Sequence, residues 1–527
     1  MTVRGASTEA SERSDPRAAT PGRTGSALSR RDARAALAVA TVFLLSRALV
    51  RAAGVRFDAS GLDWYWQFLD PPLLAHRLLE SVVHLHSAPP LFNVFLGVVL
   101  KVFPADATAI FHATFLVSGL TLVLSMFFLM RELAVPRAVS AAVALAFAVS
   151  PSAVLYENWL FYTYPTAALL CVAALCLTIW ARRHLAVAAV ACGGALCCLA
   201  LTTAFFHLIW LLAALGVIRL GGRLGWRRAA LVVVAPIVVV GAWYVKNLVL
   251  FGRLSASSWM GMNIAKIVES NLDTGRREQL VRSGRISRLA EIRPFSPLMS
   301  YVADVSELPK TGVPALDLVT KSSGVQNFNH LAYVEISRTY LRDSLRVVVL
   351  SPAAYLKGVI LATTYYFQAG SEYFMLGDNR AKIAPYERMF DRFVYGRLGG
   401  SGFLPEDRPD RQIADEPWKD QVRRAASGCG AVIVIGTALW LAVGFKLAVR
   451  AVKRRGDIEP WEVGLLFLWL NIAYATAAGT LLELGENGRF RFMVEPLLWS
   501  GLAAWLSRLW QHRRALASPA VSIQPEM

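Results

Sequence analysis

The chain predicts an all-α polytopic membrane protein, and three observations carry that prediction. Hydrophobic residues fill 55% of its 527 positions and charged residues only 17%, with a mean hydropathy of +0.44; a soluble multidomain chain carries far more charge. Apolar runs of about 17–24 residues recur along it, each near the length that crosses a hydrocarbon core as a helix. Basic residues gather in the short links between runs, as they do on the cytoplasmic side of a bilayer.

The elements follow in order. Residues 1–33, rich in Ser, Arg, Ala and Thr, read as a disordered cytoplasmic tail. They do not read as a signal peptide, because the first apolar run is long, starts late and lacks a small-residue cleavage site. Runs at 34–54, 107–130, 137–155, 158–181, 185–202, 204–219, 229–250, 427–449, 461–482 and 490–510 predict about ten spans. The apolar piece at 91–103 is too short to cross and reads as re-entrant or surface-lying. With that piece kept to one side, the basic links all fall inside: Arg30, Arg31 and Arg34; Arg131 and Arg137; Arg182 and Arg183; Arg219 to Arg228; Lys446 to Arg455; and Arg513 and Arg514. Both termini are then cytoplasmic, and the protein is a multi-pass component of the cytoplasmic membrane.

This topology divides the chain into an N-terminal transmembrane module (34–251) with a first external loop (55–106), a large external segment (252–426), C-terminal spans (427–510) and a cytoplasmic tail (511–527). The large segment is too long for a bare linker and should fold. Within it, 340–367 is apolar enough to reach the membrane and reads as an interfacial amphipathic helix, with Tyr355, Tyr365, Tyr366 and Phe367 suited to the boundary. The stretch 377–425 reads as a polar connector. Basic loops facing anionic lipid account for the net charge of +18, and no nucleic-acid motif is present. The cysteines sit in or beside apolar runs and read as small apolar fillers, with no disulfide framework or zinc spacing.

Acidic, histidine and amide residues concentrate in the loops on the external side, which points to one composite site at that surface. The first loop holds Asp58, Asp63, Asp70, Glu80, His84 and His86 before a Pro89-Pro90 pair. Glu80 and His84 lie four apart on an expected helix over 73–86, the spacing of a structural polar pair. Glu157 and Asn158 precede Trp159, Phe161, Tyr162 and Tyr164, a combination that suits a sugar and equally suits membrane anchoring. Asn263, Asn327, Asn329 and His330 in the large segment have no obvious solvating role.

Three short patterns resemble one family. His86-Ser87-Ala88-Pro89-Pro90-Leu91-Phe92-Asn93 is similar to the His-x-Pro-Pro-Leu element that closes the first external loop of GT-C superfamily membrane glycosyltransferases, which include protein O-mannosyltransferases and aminoarabinose transferases. Trp243-Tyr244-Val245-Lys246-Asn247, followed by Phe251-Gly252-Arg253 and Gly261-Met262-Asn263, resembles the exit from a mid-chain span in bacterial members. Glu486-Asn487-Gly488-Arg489-Phe490-Arg491, followed by Pro496, resembles the start of a late span. There are departures. Two residues separate His86 from the proline pair, no paired acids occupy the first loop, Lys246 replaces the usual Arg, and Phe490 the usual Tyr.

The resemblance implies a GT-C-like bundle of about 10–12 transmembrane helices with external juxtamembrane helices. It also implies an inverting hexosyl or pentosyl transfer from a polyprenyl-phosphate sugar to an envelope glycan, lipid or protein acceptor. A carboxylate would take the acceptor's proton and cations would hold the departing phosphate. Asp58 and Asp63 are the candidates for the base, with capping or solvated-loop roles as the alternative for either. Arg489, Arg491 and His86 are the candidates for the donor phosphate, against a span-flanking role for the arginines and a packing role for the histidine. Glu80, Glu157, Asn158, Asn263, Asn327, His330 and Glu486 complete the candidate substrate-binding set. The carrier's chain would lie among the membrane lipids between spans. No cofactor is expected; the divalent cation some members use would need paired carboxylates, which are not seen. High Ala and Arg content suggests a bacterial source. The alternative is a transporter or lipid flippase, disfavoured because span interiors hold almost no charge and no matched pair of broken helices recurs.

Overall fold

A computed structural model describes residues 29–220, 226–303, 309–397, 417–454 and 458–517. The tail expected over 1–33 lies outside the described residues as far as residue 28, as do residues 518–527 of the C-terminal tail. Among the described residues every regular element is helical, and β contacts are confined to isolated bridges at Asp58–Trp159, Thr320–Gln326 and Gln368–Cys429.

Among the described residues six helices are long and apolar enough to cross a membrane: Arg30–Ala52, Ala107–Glu132, Thr163–Arg183, Trp226–Phe251, Ala431–Lys453 and Pro460–Leu481. Two bent pairs bring the total to as many as 8. Arg137–Ala148 breaks by 59° into Pro151–Glu157, where Ser150 caps the new helix by accepting from the Ala153 amide at 3.2 Å. Ala332–Leu350 turns by 107° into Pro352–Phe367. Proline at the first position explains both breaks, since it starts a helix well but cannot continue one. The remaining expected runs form Ala186–Thr202, Leu208–Leu220 and the 31-residue Asn487–Ala517. Every expected run is therefore helical, but several are shorter or more bent than a straight span.

The Thr163–Arg183 helix is central, packing against Ala107–Glu132, Ala186–Thr202, Pro460–Leu481 and Asn487–Ala517, whereas Arg30–Ala52 is peripheral. The basic links gather at one end of the bundle. Arg131 and Arg137 share Asp32 at 3.1 and 2.7 Å, Arg182 and Arg183 pair with Glu132, Arg450 reaches Glu462 at 3.3 Å, and Arg508 stacks on Trp461. That clustering is the geometry the charge pattern requires.

The other end carries the extramembrane structure. The helix expected over 73–86 is interrupted, forming Pro71–His76 and Leu78–Val83. Leu91–Val102, at 12 residues, is the short apolar piece. The large segment folds around Met260–Val268 packed on Ala332–Leu350, over a core of Trp259, Met262, Leu298, Tyr301, Phe328 and Tyr333. Gly261 permits that packing, because a Cβ there would fall 1.8 Å from the Ser337 carbonyl. The expected polar connector over 377–425 is instead largely helical, as Gly377–Phe393 and Trp418–Ser427, with 398–416 outside the described residues. Its charged residues pair with one another and with Glu372 just before it: Arg397 with Glu372 and Asp391, Arg380 with Glu387.

Candidate functional site

The first loop meets the start of the last span over a cluster of aromatic rings. Asp58 forms a parallel bridge with Trp159, its amide donating to the Asn158 carbonyl at 2.8 Å and its carbonyl accepting from Leu160 at 2.9 Å. Trp159 stacks on Phe161 at 4.6 Å, donates to the Tyr65 hydroxyl, and meets Tyr373 edge-on. The Arg489 guanidinium lies over the other side of this group, 4.6 Å from the Phe161 ring centre and 5.1 Å from Tyr162. Cation–π contact of this kind holds a desolvated arginine without neutralising it.

Arg489 is buried at 1% exposure, and its Nη2 donates to Glu486 at 2.5 Å. Its Nε has no acceptor among the described residues. An orphan donor on a buried guanidinium is uncommon and marks a position with binding capacity left over. Glu486 also accepts from the Tyr373 hydroxyl at 3.2 Å, and its side chain keeps 23% of its surface open, so the pair is reachable from solvent. Lys266, from the Met260–Val268 helix, donates to the buried Glu483 at 2.5 Å beside it. Burial pushes the Glu486 carboxyl up, but Arg489 and Lys266 outweigh it and hold the group below its ordinary value. Burial wins at Glu483, which sits above its ordinary value despite Lys266. Burial also drives the Tyr65 and Tyr373 hydroxyls well upward, so both remain donors.

The large segment straps the first loop in place. Ser322 donates to Asp70 from its hydroxyl at 2.6 Å, Lys321 donates to the Tyr65 carbonyl at 2.6 Å, and Ser323 donates to the Asp63 carbonyl at 2.7 Å. Lys321 is pushed down to about 8 by burial, which Asp70 and Asp63 only partly offset. Farther along, the Asn329 side chain accepts from the His86 and Ser87 amides at 2.9 and 3.2 Å and donates to the His84 carbonyl. The Lys246 ammonium closes the same loop onto the Leu85 carbonyl at 2.6 Å.

The sequence candidates separate clearly on this frame. Asp58 is half-buried beside the aromatic cluster, its carboxylate accepting from the Ser60 amide at 2.9 Å; Asp63 is exposed. Arg491 faces away from Arg489 and is fully engaged internally, donating to Glu495 at 2.7 Å and to the Tyr366 and Gln368 carbonyls at 2.9 and 3.0 Å. His86 is buried, with Ser258 Oγ at 2.7 Å on Nδ1 and the Asn329 carbonyl at 2.9 Å on Nε2, and burial lowers it to about 3. Glu157 lies away from the cluster's open side in a two-pronged pair with Arg47 at 2.8 and 2.7 Å, with the Tyr164 hydroxyl donating at 2.8 Å. With Arg491 and Glu495, this pair shows that the bundle interior does hold charge. Asn158 donates to Val154, Asn327 to Ala315 and Leu318, and His330 accepts from the Ala332 amide. Glu80 pairs with Arg77 instead of His84, whose ring meets only the Glu80 carbonyl. Asn263 lies three residues before Lys266, on the same helix face.

Tyr65, Tyr373, Lys266 and Glu483 are the site residues that sequence reasoning missed as individuals. Glu483 adjoins the Glu486–Arg491 pattern and carried a signal; the others sit in stretches with none. Among the described residues no three His, Cys, Asp or Glu side chains converge as metal ligands, and Glu483 and Glu486 are each paired with a cation.

No family model and no curated protein matches the chain. Among solved structures it is similar to two of the Archaeoglobus fulgidus oligosaccharyltransferase. One, AglB in complex with an inhibitory peptide and a dolichol-phosphate, has 13% identity and a TM-score of 0.34. The other, tethered to an acceptor peptide, has 14% and 0.37. The alignments take in 93% of this chain but 52% and 51% of those proteins, so it spans about half their length. It is also similar to ArnT from Cupriavidus metallidurans bound to undecaprenyl phosphate, at 14% identity and a TM-score of 0.29, over 92% of this chain and 81% of that one. Superpositions this loose leave the functional reading to the site residues themselves.

Proposed function

We infer that the protein is a GT-C-type membrane glycosyltransferase that moves a sugar from a polyprenyl-phosphate donor to an acceptor at the membrane surface. The observation that carries this reading is the meeting of Asp58 with Arg489 and Glu486 around one aromatic cluster, which joins the first loop to the third family-like pattern across most of the chain. A partly open carboxylate, a buried cation with donor capacity left, and aromatic faces are what an inverting transfer at a sugar phosphate requires.

In this reading Asp58 takes the proton of the acceptor hydroxyl or amine as its oxygen or nitrogen attacks the anomeric carbon. The bond from that carbon to the phosphate oxygen breaks on the opposite face, and the phosphate leaves with the electron pair. Arg489 meets the developing charge there, while Tyr65 and Tyr373 donate to oxygen and Trp159 offers a ring face to the sugar. Arg491 and His86 hold the frame: one joins the last span to 366–368, the other joins the first loop to 258 and 329. Polarity supports the external side as the location of the site, because the basic links occupy the opposite end. Paired interior charges such as Arg47–Glu157 support a fixed scaffold over a transport relay.

The test is sugar transfer by purified protein in nanodiscs, supplied with radiolabelled polyprenyl-phosphate sugars and crude envelope acceptors. Asp58→Asn should lower turnover by about 10²–10⁴, and Asp63→Asn should leave it near wild type. Donor that is never consumed, or transfer indifferent to both substitutions, would overturn the reading.

A further inference from the structure

The Ala332–Leu350 helix exposes one graded stripe along its length. Glu335, Arg338 and Arg342 come first, then Leu345 and Arg346, then Val349, at helical spacings of three and four. Leu345 and Val349 are 55% and 79% exposed, large values for aliphatic side chains beside arginines. The helix then turns by 107° into Pro352–Phe367, which exposes Leu356 and Ile360 and packs across the ends of the last two spans, where the Tyr355 hydroxyl donates to the Leu481 carbonyl at 3.1 Å. The stripe therefore runs carboxylate, guanidinium, hydrocarbon along the helix.

A groove of about 450 Å³ opens on this stripe, lined by Gly284, Arg285, Leu345, Arg346, Val349 and Leu350. Its walls are fixed. The buried Asp343 accepts from the Ser287 amide and hydroxyl at 2.8 and 2.5 Å, Arg346 donates to the Arg285 carbonyl at 3.0 Å, and Arg276 donates to the Leu350 carbonyl at 3.3 Å. Among the described residues Asp343 is the one carboxylate close to Arg342 and Arg346, at 3.5 and 4.0 Å, so cationic charge is in excess over the groove.

We propose that this groove binds an anionic phospholipid, its phosphate between Arg285 and Arg346 and its acyl chain along Leu345 and Val349. Guanidinium groups on a rigid rim suit a phosphodiester, and cationic stems beside apolar surface at a boundary are the arrangement of lipid-contacting helices. An aqueous polyanion would use the arginines but leave the two aliphatic side chains without a role. The site lies apart from Arg489 and stands independently of the transferase reading.

Native mass spectrometry of the full-length protein in detergent, titrated with phosphatidylglycerol or phosphatidylcholine, tests this. Wild type should retain phosphatidylglycerol adducts at concentrations where phosphatidylcholine leaves none. The Arg285→Gln/Arg346→Gln variant should weaken them at least tenfold, Arg285→Lys/Arg346→Lys should keep most of the affinity, and Arg388→Gln, on another helix, should match wild type. Equal binding of the two lipids, or adducts indifferent to the double Gln substitution, would overturn the proposal. So would a soluble acidic polysaccharide that displaces the lipid from wild type and binds equally well to Leu345→Ser/Val349→Ser, which would make the surface a polyanion site.

Discussion

Replacing Glu157 by glutamine removes one charge from a pair that the fold has fully desolvated, and the consequence can be worked out. The two side chains are 1% and 8% exposed, two guanidinium hydrogen bonds at 2.8 and 2.7 Å join them, and Tyr164 adds a third donor to the carboxylate. Arg47 also donates to the Ala148 carbonyl at 2.9 Å. After Glu157→Gln the guanidinium stays buried with only neutral partners, a loss of about 3–5 kcal/mol; Arg47→Met strands the carboxylate and should cost about the same. The double variant removes both charges and should recover most of that, losing about 2 kcal/mol or less, so the coupling energy should be at least about 4 kcal/mol. Unfolding by SDS in mixed micelles, on wild type, both single variants and the double variant, measures the cycle. A Glu157→Gln loss below about 1 kcal/mol, or single losses that simply add in the double variant, would refute the reasoning. A folded Glu157→Gln protein whose only defect is a raised KM would return Glu157 to the substrate.

Gly119→Ala should disturb the same pair from the facing helix, because its Cβ would lie 2.4 Å from the Glu157 carboxylate and 2.8 Å from Phe43; a loss of about 1–3 kcal/mol in the same unfolding assay is expected. Arg489→Gln and Arg491→Gln should separate by readout. The first should lower transfer by about 10²–10³ with the fold intact, and the second should chiefly lower stability, by about 3–5 kcal/mol, through the stranded Glu495; parallel activity and unfolding measurements check both. His86 is held neutral down to about 3 in the fold, whereas an unfolded histidine takes a proton near 6.5. Its contribution is therefore full above pH 6.5 and is lost as the pH falls from there toward 3. Melting curves across that window should be steeper in pH for wild type than for His86→Gln.

The parts of the fold legible in the sequence are those fixed by local chemistry. Apolar run length placed the helices, and arginines such as Arg131 and Arg182 marked the link end because charge is excluded from the hydrocarbon. What local chemistry does not carry is partner choice. Nothing near Glu157 announces Arg47, 110 positions earlier, so a buried structural carboxylate was indistinguishable from one that binds sugar. Arg489 and Arg491 looked equivalent, yet at about 100° per residue two positions on a helix point some 200° apart, and only one of them faces the first loop. Tyr373 belongs to a stretch without periodicity, where only the tertiary fold brings its hydroxyl to Glu486. The bends before Pro151 and Pro352 were signalled by the prolines themselves; their angles depend on neighbouring helices.

The clasp between His86 and Asn329 joins residues 243 positions apart. At a synthesis rate of about 5–20 residues per second, the first loop waits roughly 10–50 s after leaving the ribosome for the segment that fixes it. Arg489 arrives later still. During that interval the Trp66 ring, which packs on Phe295 and Phe328, and the carbonyls at 84–87 lack their final partners. Chains truncated before residue 329 should be degraded even though most of their N-terminal spans have already been made.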